Sequence, residues 1–161
     1  MKNDYLRELG HLGVTARLKR LSDVLTCSIK DLYKAIGLDI EPSWHLVFLM
    51  LKSEERCTMK EIADAFQMSQ PAVTKMIARM MKKGYVTIAR DRSDGRKRVL
   101  RLSRKAKLRL PKFERIWHAG QDSIREILAS NKDFLGNLEK LEKELDRKSF
   151  AERAMERVDD D

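Results

Sequence analysis

The side chains best suited to chemical recognition lie in a polar segment that spans residues 69–79. Four of them recur at helical spacing: Gln70, Thr74, Lys75 and Arg79. Their amide, hydroxyl and cationic groups can donate and accept hydrogen bonds, as base edges and phosphates require. Ser69 begins this segment, and the small Ala72 leaves room for close approach or can contact a thymine methyl group. The pattern therefore fits the side of a helix that contacts nucleic acid.

A cationic segment follows within twenty residues of the polar one. It contains Arg90, Arg92, Arg96, Lys97 and Arg98. Such groups suit phosphates and a narrow minor groove. An aspartate two residues from an arginine in a tight hairpin can orient the guanidinium, so we expect Asp94 to hold Arg96.

The positive charge of the chain is concentrated around these two segments. The whole chain has 34 Lys and Arg against 25 Asp and Glu, a net charge of +9. Residues 56–112 contain 17 of the basic residues and only four of the acidic ones. A basic region alone is adequately explained as a solvated face, but together with a recognition motif it favours double-stranded DNA as partner.

Residues 58–83 predict two short helices joined by a tight turn. Thr58 and Glu61 form a capping-box pattern at the start of a helix over about 58–66. Ser69 is a favourable N-cap for the second helix, and Gly84 is placed to end it after Lys83. The second helix is expected to bury Val73, Ile77, Met80 and Met81.

A β-hairpin is predicted after these helices. Residues 85–88 and 99–102 alternate as two strands, and residues 90–96 form a polar turn between them. Helix, tight turn, helix and hairpin together make the pattern of a winged helix-turn-helix. In that fold the second helix presents its N-terminal residues to base edges in the major groove.

Long helices are predicted on both sides of this segment. Residues 5–35 predict a single amphipathic helix that Gly37 ends, and residues 41–43 open a second helix that is apolar nearly all round and therefore buried. Ser103 is expected to cap a third helix that runs to about Ser130 with a kink at Pro111. Asn131 is expected to cap the last helix.

The fold class predicted from these elements is mainly α with a small β-hairpin wing. We expect an N-terminal dimerisation helix over residues 1–41, a winged helix-turn-helix domain over 42–104 and C-terminal dimerisation helices over 105–161. In the last helix, apolar residues step by four, three and four, as in half of a coiled coil. An intramolecular core is the alternative, but a homodimer contact is favoured for Leu6, Leu9, Phe134, Leu138, Leu141 and Leu145.

Several motifs resemble the multiple-antibiotic-resistance regulator (MarR) family of winged-helix repressors. They are Met59 to Ala63, Ser69 to Thr74, Lys82 to Val86, and above all Arg90 to Arg96 followed by Leu102 and Ser103. The resemblance covers about residues 42–104. Departures such as Gly95 in the wing and Pro111 in the next helix do not affect the residues expected to bind DNA.

The resemblance implies a dimeric regulator with a wing arginine in the minor groove. It also implies a small phenolic or lipophilic effector near the second helix, where Trp44, His45 and Phe48 are the candidates, although plain core packing is the favoured interpretation. Some family members sense oxidants through a first-helix cysteine. For Cys27 a small buried hydrophobic role is favoured, because nothing in the sequence indicates a lowered pKa.

The function predicted is a sequence-specific transcription regulator, a repressor that acts as a cytoplasmic homodimer on a pseudo-palindromic operator. A non-specific architectural DNA-binding protein and a winged-helix protein-interaction module remain alternatives. No enzyme is expected, because no catalytic triad, paired carboxylates or phosphate-binding loop appears. No cofactor, metal site or membrane partner is expected. His11 and His118 are isolated, and no apolar run approaches the length of a membrane span.

Overall fold

The computed structural model describes residues 4–90 and 97–158. The chain forms two compact units, Met1–Lys112 and Phe113–Asp161. The first unit contains α1 (Tyr5–Glu8), a 3-10 turn (Gly10–Gly13), α2 (Val14–Ala35), α3 (Trp44–Ser53), α4 (Met59–Ala65), α5 (Gln70–Lys82), β1 (Val86–Arg90) and β2 (Arg98–Leu102). Helix α6 (Arg104–Ile127) begins in the first unit, and α7 (Phe134–Arg147) and α8 (Phe150–Val158) lie in the second. The fold class predicted from the sequence is confirmed.

The prediction of one continuous helix over residues 5–35 is wrong. The short α1 ends at Glu8, a 3-10 turn follows, and α2 begins at Val14. Gly10 has a φ of +54°, a left-handed conformation that ends a helix and that glycine adopts at little cost. Gly37, with a φ of +68°, stands just beyond α2, as predicted.

Helix α3 is buried along one face rather than all round. Trp44, Val47, Phe48 and Leu51 are buried, whereas Leu46 and Leu49 are exposed. The four buried residues recur at steps of three and four and so share a side. The prediction that this helix is buried nearly all round is wrong for Leu46 and Leu49, because only one side of the helix faces the core.

The helix-turn-helix caps are confirmed in atomic detail. The Thr58 hydroxyl accepts from the Glu61 amide at 3.2 Å, and the Glu61 carboxylate accepts from the Thr58 amide at 2.6 Å. Ser69 Oγ accepts from the Ala72 amide at 3.4 Å, and Gly84 follows α5 with a φ of +73°. These contacts satisfy amides that lack partners in a first helical turn.

The predicted buried face of α5 is correct except at one position. Val73, Ile77 and Met80 are buried as expected, but Met81 is exposed and Met76 takes its place in the core. Position 81 lies about 100° around the helix from position 80, which turns its side chain away from the stripe formed by the other residues.

The hairpin is a two-stranded antiparallel sheet in regular register. Val86 pairs with Leu102, Ile88 with Leu100, and Arg90 with Arg98. Residue Cys57, just before α4, forms an isolated bridge with Leu100 and ties the sheet to the helices. The largest fully buried side chains of the first unit are Tyr85, Phe48, Ile62, Ile77, Met80, Leu100, Val47 and Val73.

The C-terminal helices depart from two predictions. Helix α6 runs through Pro111 to Ile127, close to the predicted end, and the kink expected at Pro111 stays a prediction. Asp133, rather than Asn131, precedes α7, and its side chain makes no capping hydrogen bond. A further helix, α8, follows, and the carboxylate of Glu152 and the hydroxyl of Ser149 form its capping box. Among the described residues, no helix is long and apolar enough to cross a membrane.

Candidate nucleic-acid interface

Helix α5 has two chemically distinct sides. Val73, Met76, Ile77 and Met80 are buried. The side chains of Gln70, Thr74, Lys75 and Arg79, here called the recognition face, are exposed. Ala72 is half-buried, and Ser69 is exposed at the N-cap. The sequence prediction for this helix therefore matches the orientation of its polar side chains.

The turn between α4 and α5 is held by the backbone. Gln67 has a φ of +49°, which is a costly conformation for a residue with a side chain. The Met68 amide donates to the Ala63 carbonyl at 2.9 Å and closes the turn. The Thr74 hydroxyl reaches back to the Met59 sulfur at 3.8 Å. Together these contacts fix where α5 begins relative to α4. No feature of the sequence predicts the left-handed conformation of Gln67.

The hairpin places a group of cations at the end where β1 finishes and β2 begins. Arg90 and Arg98 are paired across the strands, and Lys97 adjoins them. All three side chains are exposed. Arg92, Asp94 and Arg96 lie outside the described residues, so the pairing of Asp94 with Arg96 stays a prediction.

A cluster of polar side chains surrounds the residue that joins α5 to β1. Tyr85 donates its hydroxyl hydrogen bond to Asp39, and Arg109 donates to Asp39 at 3.0 Å and to the Tyr85 hydroxyl at 3.1 Å. The Lys105 ammonium lies 3.4 Å from Asp39 and 4.1 Å from the centre of the Tyr85 ring. We call Asp39, Tyr85, Lys105 and Arg109 the Tyr85 cluster. Sequence reasoning missed it, because its members are separated by up to 70 residues.

Burial and contacts within the Tyr85 cluster set the pKa values of Tyr85 and Asp39. Burial and the hydrogen bond to Asp39 raise the pKa of Tyr85 to about 12, so its hydroxyl remains a donor at neutral pH. Burial alone would raise the pKa of Asp39. The hydrogen bond from Tyr85 and the charges of Lys105 and Arg109 nevertheless hold that pKa below its ordinary value. Asp39 is therefore a carboxylate that accepts from all three neighbours.

Comparison with known proteins agrees with this geometry. Residues 38–97 match the family model described as "MarR family". Over these residues the chain is similar to the MarR family. No curated protein sequence matches the chain.

Solved structures share the MarR-family fold over nearly the whole chain. One is a MepR–DNA complex from S. aureus, with a TM-score of 0.71 and 18% identity over 82% of this chain and 97% of that chain. Another is reduced AbfR bound to DNA, with a TM-score of 0.67 and 23% identity over 91% and 98%. A third is a mutant MarR from E. coli complexed with operator DNA, with a TM-score of 0.63 and 20% identity over 89% and 99%. The fold is thus that of MarR-family DNA-binding transcription regulators.

The aromatic candidates for an effector site lie in the core of the winged helix-turn-helix. Trp44 and Phe48 are buried, and their rings meet Tyr85 edge-on at centroid distances of 6.2 and 5.4 Å. His45 is half-buried, with Nδ1 2.6 Å from the Pro42 carbonyl oxygen. This arrangement fits the core-packing interpretation, and the assignment of an effector to these residues stays a prediction.

The two cysteines of the chain differ in environment. Cys57 is buried, and that burial, followed by the charges of Glu61 and Glu54, raises the pKa of its thiol to about 11. Cys27 is exposed on α2. The expectation that Cys27 is a small buried residue is therefore wrong for the single chain, because α2 presents that side to solvent.

The side chains predicted to form a dimer contact are incompletely covered. Leu6 and Leu9 are half-buried in the first unit. In α7, Phe134 is half-buried, and Leu138, Leu141 and Leu145 are between 37% and 48% exposed. Helix α2 carries a further exposed stripe, which contains Val14, Leu18, Leu21, Leu25 and Leu32.

Proposed function

We propose that this chain is a sequence-specific regulator of transcription, a repressor that binds a pseudo-palindromic DNA operator as a homodimer. The observation that carries the proposal is the two-sided character of α5. Four apolar side chains anchor it, while the recognition face stays exposed, and the helix is capped at its N-terminus by Ser69. An α-helix about 10–12 Å across fits the major groove, which is where such side chains can read base edges.

The charge around α5 supports DNA as the partner. Cationic side chains at the end of the hairpin, including Arg90, Lys97 and Arg98, can contact phosphates beside the groove that α5 enters. MepR, AbfR and the mutant MarR share this fold and were solved with DNA. An architectural protein would bind through the same cations but would have little use for Gln70 and Thr74.

A homodimer is part of the proposal because of the terminal helices. Apolar stripes of α2 and α7 remain exposed in the single chain, at spacings typical of helix pairing. A two-fold dimer carries two copies of α5, which matches two half-sites about one helical turn of DNA apart. The pseudo-palindromic form of the operator follows from that symmetry.

We also propose that a small phenolic or lipophilic effector releases the protein from DNA. Its place would be beside Trp44, His45 and Phe48, and the burial of the two larger rings means that a ligand must displace core contacts to enter. Quenching of tryptophan fluorescence by a simple phenol, in parallel with loss of DNA binding, would support release by an effector. Quenching that leaves DNA binding unchanged would contradict it.

The test of DNA recognition is a selection of bound duplexes from a random-sequence pool, followed by titration of the selected duplex. We expect one enriched pair of inverted half-sites. Replacing Gln70 or Thr74 by alanine should cost about 1–3 kcal/mol and relax selectivity at one base pair. Gln121→Ala, an exposed glutamine in the second unit, is the matched control and should change neither. Enrichment of no sequence would instead indicate a non-specific architectural protein.

A further inference from the structure

The Tyr85 cluster joins three separate parts of the first unit at the end of α5. Asp39 comes from the segment between α2 and α3, Tyr85 from the start of the hairpin, and Lys105 and Arg109 from the first turns of α6. The cluster is therefore placed to determine how α5 is held by the rest of the unit.

Tyr85 itself is fixed on every side. Its ring is fully buried and meets Phe48 and Trp44 edge-on. Its amide donates to the Met80 carbonyl at 2.9 Å, and its carbonyl accepts from the Ser103 amide at 2.9 Å. Because the Tyr85 amide is bonded to the last turn of α5, contacts of the Tyr85 hydroxyl restrict the position of that turn.

Two further bonds tie the end of α5 to α6. Lys105 donates to the Lys83 carbonyl at 2.7 Å, and the Ser103 hydroxyl donates to the Gly84 carbonyl at 2.7 Å. A cation at the carbonyl end of a helix also interacts favourably with the helix dipole. These contacts close the C-terminal end of α5, whereas Gln70 and Thr74 lie at its other end.

The distance between the two ends makes small tilts important. Helix α5 has 13 residues, so it is about 20 Å long, and a tilt of about 5° at its fixed end moves its first turn by about 2 Å. A displacement of that size removes hydrogen bonds to base edges, which need donor–acceptor distances near 3 Å. Contacts from long lysine and arginine side chains to phosphates tolerate it better.

We infer that Tyr85 is a positioning residue for DNA sequence recognition, acting through its hydroxyl and the partners Asp39, Lys105 and Arg109. This inference rests on the proposed function, because it needs a protein that discriminates between sequences. The Tyr85 cluster fixes the tilt of α5 and so maintains the discrimination between operator and other DNA. Its contribution to non-specific binding is small.

The test compares Tyr85→Phe with the parent protein on two duplexes. One duplex is that selected from the random pool, and the other is its scrambled sequence of equal length and composition. Tyr85→Phe keeps the aromatic packing and removes only the hydroxyl. We expect affinity for the selected duplex to fall about five- to tenfold, the worth of one ordinary hydrogen bond, with scrambled-duplex affinity and the salt dependence unchanged.

A charge-matched pair separates positioning from simple electrostatics. Lys105→Ala should reduce discrimination as Tyr85→Phe does, whereas Lys107→Ala, which removes the same charge from an exposed side chain of α6, should leave the ratio unchanged. Tyr5→Phe, an exposed tyrosine in α1, is the control for loss of a phenolic hydroxyl. If Tyr85→Phe does not fold, Arg109→Lys is measured in its place, with the same expected loss of discrimination.

The outcomes distinguish this inference from the proposed function. A parent protein that binds both duplexes equally overturns both. A parent that discriminates, with Tyr85→Phe and Lys105→Ala variants that discriminate equally well, overturns only the positioning role. Equal losses on both duplexes, together with a lowered unfolding temperature, would show that the Tyr85 cluster only stabilises the fold.

Discussion

The winged helix-turn-helix and the terminal helices bury their apolar residues to different extents. Between residues 40 and 110, most large apolar side chains are buried. Of the eight largest that are fully buried there, seven lie in α3, α4, α5 and β2, and Tyr85 lies between α5 and β1. Among the described residues, α2 buries only Tyr33, and α7 and α8 bury none. Both regions have strongly patterned sequences, so amphipathicity alone does not tell an internal core from an external contact.

The two regions therefore differ in their source of stability, which is packing within one chain for the first and association with another molecule for the second. A region with a closed core is stabilised by packing at any protein concentration. A helix whose apolar stripe is open gains that free energy only on association, so its contribution depends on concentration.

The largest effect is expected from charges in the α7 stripe. Replacing Leu138 and Leu141 by lysine places two cations on that stripe, and we expect the protein to become monomeric. Operator binding should fall by two orders of magnitude or more, because two half-sites no longer bind as one unit. Leu108→Lys, the same change at an exposed leucine of α6, should leave the mass unchanged in light scattering. If the double variant stays dimeric, α7 is not part of the dimer contact.

A large effect on folding is expected from the closed core. Phe48→Ala should lower the free energy of unfolding by about 3–5 kcal/mol, because it removes a fully buried ring and leaves a cavity. Leu21→Ala, on the exposed stripe of α2, should lower the free energy of unfolding mainly by weakening the dimer. Urea unfolding at two protein concentrations distinguishes a loss of core packing from a loss of dimer contacts. A concentration-independent loss of similar size for Leu21→Ala would contradict the contrast between the regions.

A moderate effect is expected in the wing. Asp94→Ala should weaken operator binding by about 1–2 kcal/mol, because a guanidinium that is no longer oriented loses a directed contact. Simple electrostatics predicts the opposite sign, but the repulsion that is removed is screened within about 8–10 Å at physiological salt. Arg96→Ala is the companion variant. Tighter binding of Asp94→Ala at two salt concentrations would show that Asp94 does not hold Arg96.

The smallest effect is a difference in labelling rate that leaves the fold intact. At pH 8 the thiol of Cys57, with a pKa of about 11, is almost wholly protonated and buried, so iodoacetamide should spare it in the native protein. Cys27 is exposed and should be labelled first. Mass spectrometry of the digested protein reads both sites. Equal labelling rates would show that the closed core opens readily around Cys57.

Local signals in the sequence predicted the recognition helix well. Thr58, Glu61, Ser69 and Gly84 act through bonds to neighbouring backbone, so their spacing is enough to place α4 and α5. The Ser149 and Glu152 capping box has the same local form, and it could have revealed α8. Buried Met76 and exposed Met81 were harder, because both fit an apolar stripe of similar width.

Non-local features were beyond prediction for a physical reason. Asp39, Tyr85 and Arg109 meet only after three segments have packed, and nothing in the spacing of these residues indicates a contact. The left-handed Gln67 is held by the turn around it rather than by its own preference. Gly10 carried a signal, but the apolar periodicity on both sides of it favoured a continuous helix.

We expect the winged helix-turn-helix to be complete within one chain, whereas the terminal helices need a second copy. Multi-angle light scattering of the unmodified protein at micromolar concentration distinguishes a dimer from a monomer. We expect twice the chain mass of 18.8 kDa, held on dilution towards the concentration at which DNA is bound. A particle of 18.8 kDa that still selects inverted half-sites would contradict it.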